Sequence, residues 1–135
     1  MDRLSVEDRS RQMSLVRSKN TKPELAVRKL VFSMGYRYRL HSVGLPGKPD
    51  LVFRVRKKAI FVHGCFWHRH EGCKKATIPS SHIDYWLPKF AKTVERDREH
   101  LNSLGALGWK TLVVWECELK DADALASKIR TFLEE

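Results

Sequence analysis

Asp50-Leu51-Val52-Phe53-Arg54-Val55-Arg56-Lys57-Lys58-Ala59-Ile60-Phe61-Val62 is the stretch on which the fold turns. Its two runs, Asp50–Val55 and Ala59–Val62, are rich in β-branched and aromatic residues, and three basic residues separate them. That pattern predicts a hairpin with Arg56-Lys57-Lys58 at the turn. Upstream, Gly44-Leu45-Pro46-Gly47-Lys48-Pro49 is loop sequence, and Tyr36–Leu40 alternates apolar residues with arginine as a short strand does. A helix precedes them. Thr21 is its N-cap, Pro23 suits the first turn, and Glu24 stands three residues after Thr21 in capping-box spacing. Val27, Leu30, Val31 and Met34 form one apolar stripe, and Gly35 stops the helix.

Downstream, residues 63–83 read as irregular. A long helix is expected over 88–104, with Phe90, Val94, Leu101 and Leu104 inward and Gly105 and Gly108 closing it. Thr111–Trp115 reads as a buried strand, and Asp121–Leu133 as an amphipathic helix burying Leu125, Ile129 and Phe132. The order α, β, β, β, α, β, α predicts an α/β fold, a small mixed sheet flanked by helices.

The chain has 135 residues, 26 Lys and Arg against 16 Asp and Glu, a formal charge of +10 and a pI near 9.8. Hydrophobic residues at 42% and charged residues at 31% exclude a disordered tail and fit one domain over 1–135. No apolar run approaches the ~20 residues of a membrane span, and the first residues carry no apolar stretch of the signal-peptide kind. The expectation is a cytoplasmic protein with no membrane partner. Residues 1–110 hold 23 basic and 10 acidic side chains, whereas 111–135 hold 3 and 6. A basic surface of this size suits a polyanion. Arg17 and Lys19, in a polar arm over 1–20, and Lys48 in the loop are the expected phosphate contacts.

Cys65, His68, His70 and Cys73 fall within nine residues, and Cys117 follows the last predicted strand. An odd cysteine count without an export signal argues against a disulfide framework. Cys65, His70, Cys73 and Cys117 make a Cys₃His set fit for a structural zinc, with His68 competing with His70 for the fourth place. Such a site would stiffen a small domain.

Asp50 opens a strand beside a loop, where a carboxylate can hold a hard cation such as Mg²⁺ or simply make a turn. His63 ends the next strand and His68 follows five residues later. Two imidazoles beside Mg²⁺ can activate water and protonate a leaving alkoxide. Phe66-Trp67 and Tyr85-Trp86 lie in polar segments and have two readings: exposed wedges that unstack a base step, or a small satellite core on the cysteine loop. Trp109 and Trp115 read as core.

Several strings together resemble the very-short-patch mismatch repair endonuclease family. They are Leu45-Pro46-Gly47-Lys48-Pro49-Asp50, Phe61-Val62-His63-Gly64-Cys65-Phe66-Trp67-His68, Tyr85-Trp86-Leu87, Val94-Glu95-Arg96-Asp97-Arg98, Gly108-Trp109 and Val114-Trp115-Glu116-Cys117. The resemblance covers roughly residues 14–120. It implies a restriction-endonuclease-like fold with a structural zinc on Cys65, His70, Cys73 and Cys117. It implies Mg²⁺-dependent nicking of one DNA strand, 5′ to the thymine of a T·G mismatch left by 5-methylcytosine deamination. Asp50 and the Val62 backbone carbonyl would be the Mg²⁺ ligands. His68 would be the catalytic acid or base with His63 in support. Glu24 matches an acidic residue near the active site, although capping-box spacing also accounts for it. Phe66, Trp67 and Trp86 match DNA-wedging aromatics. The family usually accompanies a cytosine-5 methyltransferase and can involve mismatch-repair proteins. A monomer is expected, since a single-strand nick needs one active site. Two rival functions are a zinc-stabilised module that binds distorted DNA without cutting, and a related nickase with another target.

Overall fold

A computed structural model describes residues 21–41 and 44–135. The 1–20 arm with Arg17 and Lys19 lies outside the described residues. Helix α1 (Lys22–Ser33) is followed by strand β1 (Arg39–Leu40), β2 (Leu51–Phe53) and β3 (Lys58–His63). Then come helix α2 (Ile83–Ala106), strand β4 (Lys110–Trp115), a single 3₁₀ segment (Glu116–Lys120) and helix α3 (Ala122–Glu134). The four strands lie in the order β1-β2-β3-β4. β2 and β3 form the expected antiparallel hairpin, with Leu51 opposite Ile60. β3 and β4 are parallel over six residues, Lys58 to His63 against Lys110 to Trp115, and α2 makes the crossover. A mixed sheet follows directly, because parallel neighbours need a long connection and antiparallel ones only a turn.

Strand periodicity assigns the faces. Leu51, Phe53, Ile60 and Val114 pack with Val27 and Val31 of α1 and with Leu125, Ile129 and Leu133 of α3. Val52, Ala59, Phe61 and His63 are buried on the opposite face, which α2 covers. β3 is thus enclosed on both faces and both edges.

Several expectations need correction. Tyr36 and Tyr38 are not in a strand. Their hydroxyls donate instead to Glu134 Oε2 at 2.5 Å and to the Arg28 carbonyl at 3.1 Å, which ties the α1–β1 connection to both flanking helices. The long helix starts at Ile83, five residues before the expected position, and takes in Tyr85, Trp86 and Pro88. Pro88, the sixth residue of the helix, leaves the Asp84 carbonyl without its helical N–H partner. Val94 is 46% exposed. The inward stripe of α2 runs instead through Trp86, Phe90, Thr93, Asp97, His100 and Leu104, with polar groups where an apolar reading expects valine. In β4 only Val114 is fully buried. In α3, Leu133 takes the deepest place at the end of the stripe, with Phe132 partly buried beside it. Asp121 caps α3, accepting from the Ala124 N–H at 3.1 Å.

The hairpin turn has a second use. Lys58 is 4% exposed, and its ammonium donates to the carbonyls of Phe132 (2.6 Å), Leu133 (3.1 Å) and Glu135 (2.5 Å). Arg56 also donates to the Leu133 carbonyl, at 2.9 Å. These cations satisfy carbonyls that end the helix, and they sit at the negative end of its dipole. Part of the basic excess is therefore structural. Lys58→Met is expected to cost about 2–3 kcal/mol in denaturant unfolding, because it leaves charge-assisted acceptors unpaired. Lys57→Met, at an exposed position, is expected to stay within about 0.5 kcal/mol.

Candidate functional site

The topology gathers the chemistry at one end of the sheet. The start of β2 meets the end of β3 because they are antiparallel, and the end of β4 meets the end of β3 because they are parallel. Asp50, His63, Cys65 and Cys117 come from those ends. Three clusters of metal-competent side chains occur among the described residues: Glu24, His41 and Asp50; His63, His68 and Asp97; and Cys65, His70, Cys73 and Cys117.

In the first cluster, Asp50 Oδ2 accepts the Val62 N–H at 2.7 Å. Glu24 is 1% exposed and hydrogen-bonds to Asp50. Arg28 pairs with Glu24 Oε2 from the next turn of α1, and His41 Nε2 lies 2.6 Å from the same oxygen. Thr21 does cap α1, accepting from the Glu24 N–H at 3.3 Å. The Glu24 carboxylate, however, is turned into this cluster, so capping alone does not explain it. Burial pushes the Asp50 carboxyl up to about 7. The Val62 N–H pulls it down, while the charge and hydrogen bond of Glu24 push it further up. Two hard carboxylates, Glu24 and Asp50, next to the Val62 backbone are a donor set that fits Mg²⁺.

In the second cluster, His63 and His68 stack at 3.8 Å with rings 7° from parallel, and His68 Nδ1 is 2.6 Å from Asp97 Oδ2. Asp97 therefore orients the ring and leaves Nε2 to handle a proton. Burial, and then the neighbouring His68, lower His63 to about 3, against the opposing charge of Asp97. His63 is a neutral spacer at ordinary pH. The atoms of Asp50 and those of His68 fall in separate clusters, joined through the adjacent residues Val62 and His63 of β3.

In the third cluster, His70 Nδ1 lies 3.6 Å from Cys65 Sγ and 3.4 Å from Cys117 Sγ. Tetrahedral zinc, with Zn–S ~2.3 Å and Zn–N ~2.0 Å, requires S···N separations of about 3.5 Å, so the residues fit zinc. His70 stands with the cysteines, while His68, the competing choice, stands with Asp97. Tight turns build the loop. His70 N–H donates to the Cys65 carbonyl at 2.9 Å and Cys73 N–H to the His70 carbonyl at 3.2 Å, with Arg69 and Gly72 in the left-handed region. Trp115 stacks on His70 at 4.2 Å and meets the edge of His63 at 5.3 Å. Glu116 accepts the Cys65 N–H at 3.1 Å. Trp115-Glu116-Cys117 thus joins the second and third clusters.

Phe66, Trp67, Trp86 and Phe90 form a ring layer between this loop and α2, with successive centroids 5.3–6.1 Å apart. Phe66 and Trp67 are half-buried, whereas Trp86 is 3% exposed and is core in the free chain. Arg69 clamps the layer. Its guanidinium lies 4.0 Å over Phe90 and donates to the Ala76 and Thr77 carbonyls at 3.0 and 2.9 Å. Lys48 is exposed with φ +49, beside Gly47. Gly47 has φ +76 and lies so close to His100 of α2 that a Cβ would come within 2.8 Å of its ring.

Sequence reasoning missed Asp97, His41, Arg69 and Glu116. Asp97 had a usable signal, a carboxylate seven residues after Phe90 on the same helix face. His41 had none, since nothing local distinguishes it from a surface histidine.

Residues 1–75 match the family model described as DNA mismatch endonuclease Vsr. The chain is 52% identical to the type II nicking enzyme V.XorIIP of Xanthomonas oryzae pv. oryzae, over 98% of this chain and 97% of that protein. It is 37% identical to the DNA mismatch endonuclease Vsr of Escherichia coli, over 91% of this chain and 78% of that protein. The catalytic domain of the homing endonuclease I-Bth0305I superposes with a TM-score of 0.58 at 23% identity, covering 84% of this chain and 94% of that domain. That likeness concerns the fold, and the expected restriction-endonuclease-like architecture is met.

The two shifted groups act oppositely on stability. Between pH 3 and 6.5 the unfolded chain holds the extra His63 proton, so this group makes stability rise with pH. Between pH 3.8 and about 7 the folded chain holds the extra Asp50 proton, so this group makes stability fall as pH rises. The two cancel over most of that window without added divalent cation. Asp50→Asn is expected to add a slope of about +1.4 kcal/mol per pH unit relative to the parent between about pH 4 and 6.5. Parallel unfolding curves for the two proteins across that range would remove the assignment.

Proposed function

Since the chain belongs to the DNA mismatch endonuclease Vsr family, we propose that it nicks one strand of duplex DNA 5′ to the thymine of a T·G mismatch, in very-short-patch repair of deaminated 5-methylcytosine. The observation that carries this reading is the carboxylate pair of buried Glu24 and half-buried Asp50 at the end of β3, near the His68–Asp97 dyad. A binding module has no use for either. Basic side chains, Lys48 among them, draw the protein onto phosphates with release of counterions, so affinity falls steeply with salt. Arg17 and Lys19 are assigned the same role from sequence. Phe66 and Trp67 present half-buried rings beside the site. Trp86 backs them, and it reaches a base step only if the ring layer opens. Unstacking is least costly at a wobble pair, which favours mismatches.

Asp50, Glu24 and the Val62 backbone would hold Mg²⁺, which when bound supplies polarisation of the scissile phosphate and charge compensation for the leaving oxygen. His68 takes a proton from the attacking water at Nε2, and Asp97 holds its ring in place. His63, neutral and stacked on His68, keeps that imidazole from turning. The new P–O bond comes from water and the P–O3′ bond breaks; the leaving oxygen takes a proton from solvent, which leaves a 3′-hydroxyl and a 5′-phosphate. Zinc on Cys65, His70, Cys73 and Cys117 would fix the loop that carries Phe66, Trp67 and His68. The reading also implies a cytoplasmic monomer that works alongside a cytosine-5 methyltransferase, with mismatch-repair proteins as further partners. No helix among the described residues is long and apolar enough to cross a membrane. One observation favours a second reading, a nickase with a different sequence context: the relative that is 52% identical is named a type II nicking enzyme.

Labelled T·G and matched duplexes, incubated with Mg²⁺ in several flanking contexts, test this directly. Nicking is expected only at T·G, 5′ to the thymine. Equal nicking of matched DNA supports the second reading, and no nicking of any duplex supports a binding module. Asp50→Ala is expected to slow nicking by about 10³-fold while mismatch binding persists. Elemental analysis is expected to find one zinc per chain, and Cys117→Ser is expected to lose it along with several kcal/mol of stability. A folded, zinc-free parent protein contradicts the zinc assignment.

A further inference from the structure

His41 has no part in the roles described above. It follows β1 with φ +46, a left-handed conformation that non-glycine residues seldom adopt and that histidine adopts more readily than most. That turn lets a single residue reach both acids of the pocket. Its N–H donates to the Asp50 carbonyl at 3.4 Å, and its Nε2 lies 2.6 Å from Glu24 Oε2. The Glu24 side chain is 2% exposed and the His41 side chain 20%, so the imidazole stands between the carboxylate and solvent. The ligating atoms of Glu24, His41 and Asp50 all lie within 4.8 Å of one another.

Arg28 grips the same Glu24 oxygen from the next turn of the same helix, and its charge also bears on Asp50. His41 directly follows β1, and its N–H is bonded to the Asp50 carbonyl before β2. Its contact sets Glu24 relative to the strand that Asp50 opens. Glu24 and Asp50 sit on different elements and share a hydrogen bond, and His41 adds a tie from Glu24 Oε2 to the Asp50 backbone.

We propose that His41 is a positioning residue of the cation pocket: it holds Glu24 of α1 in register with Asp50 at the head of β2, so that a divalent cation meets two oriented carboxylates. The proposal rests on the reading of Asp50 as the cation's carboxylate. Partners that orient a ligand in this way typically change metal affinity by 10–100-fold when removed.

The test uses the full-length, zinc-loaded chain and Mn²⁺ as the probe, with binding read by electron paramagnetic resonance. His41→Asn is the informative variant. Asparagine accepts the left-handed backbone, and its amide is too short to reach Glu24. The rescue variant is His41→Gln, whose amide N–H extends about as far as the imidazole Nε2.

 H41N is expected to weaken Mn²⁺ binding by about tenfold and to raise the Mg²⁺ concentration for half-maximal nicking by the same factor, with kcat at saturating Mg²⁺ within about threefold of the parent. H41Q is expected to restore most of both. If His41 only balanced negative charge, its loss would tighten cation binding, so unchanged or tighter binding in folded H41N overturns the proposal, as does an equal loss in H41Q. Melting curves without divalent cation verify folding, and H41A carries the same test should H41N not fold. Asp50→Asn separates the two claims. If it abolishes Mn²⁺ binding while H41N does not, only the role of His41 fails. If it leaves Mn²⁺ binding intact, the reading of Asp50 fails and the proposal falls with it.

Discussion

The pairing of β3 along both of its edges is the constraint on which the rest of the structure depends. Lys58–His63 is bonded antiparallel to β2 and parallel to β4, and its residues are almost wholly buried. A strand enclosed in this way has one register, because a slip by one residue would exchange its two packed faces. The position of Asp50 against the Val62 N–H, of His63 beside Trp115, and of Cys65 within reach of Cys117 all follow from that register. The same strand begins at Lys58, whose ammonium closes the carbonyl end of α3. One element therefore sets the hydrophobic core at its first residue and the chemistry at its last.

The polar groups at the end of β3 are divided in space into three clusters. Glu24 and Asp50 share a pocket in which burial pushes the Asp50 carboxyl up, while Arg28 pairs with Glu24. In the proposed reading the His68–Asp97 pair, held from α2, handles the proton, and His63 stacks on His68 beside it. The Cys/His cluster lies behind both. Trp115 touches His63 and His70 at once, and Glu116 holds the backbone of Cys65, so distortion of the cysteine loop is passed to the histidines through rigid groups rather than through a flexible linker. A chain of this length has little core to spare for such rigidity, and a cluster of four soft and borderline ligands is an economical source of it.

The legible parts of the sequence were those governed by short-range pattern. The hairpin of β2 and β3, the Thr21 cap and the Val27–Val31 stripe were all visible because each depends on neighbours within a few residues. The Cys₃His set was visible from ligand type. The extent of α2 was not, because Pro88 and the polar run before it resemble a helix boundary, and only packing of Trp86 against the ring layer draws the first turns into the helix. The inward stripe of α2 was misread for a related reason. It faces a polar site at its middle, so Asp97 and His100 occupy positions that an amphipathic pattern assigns to apolar residues.

By itself, the sequence determined the class of fold, the basic character of the surface, the zinc-type ligand set and, through its motifs, the family. These rest on composition, on periodicities of two and 3.6 residues and on the spacing of rare residues, all of which exist before the chain folds. Only the tertiary structure decided which acids share a pocket, which histidine stands with the cysteines, and which residue holds Glu24 against Asp50. Those relations join residues 17 to 47 positions apart. They are contacts between elements, whose geometry comes from strand register and helix docking and leaves no trace in local pattern.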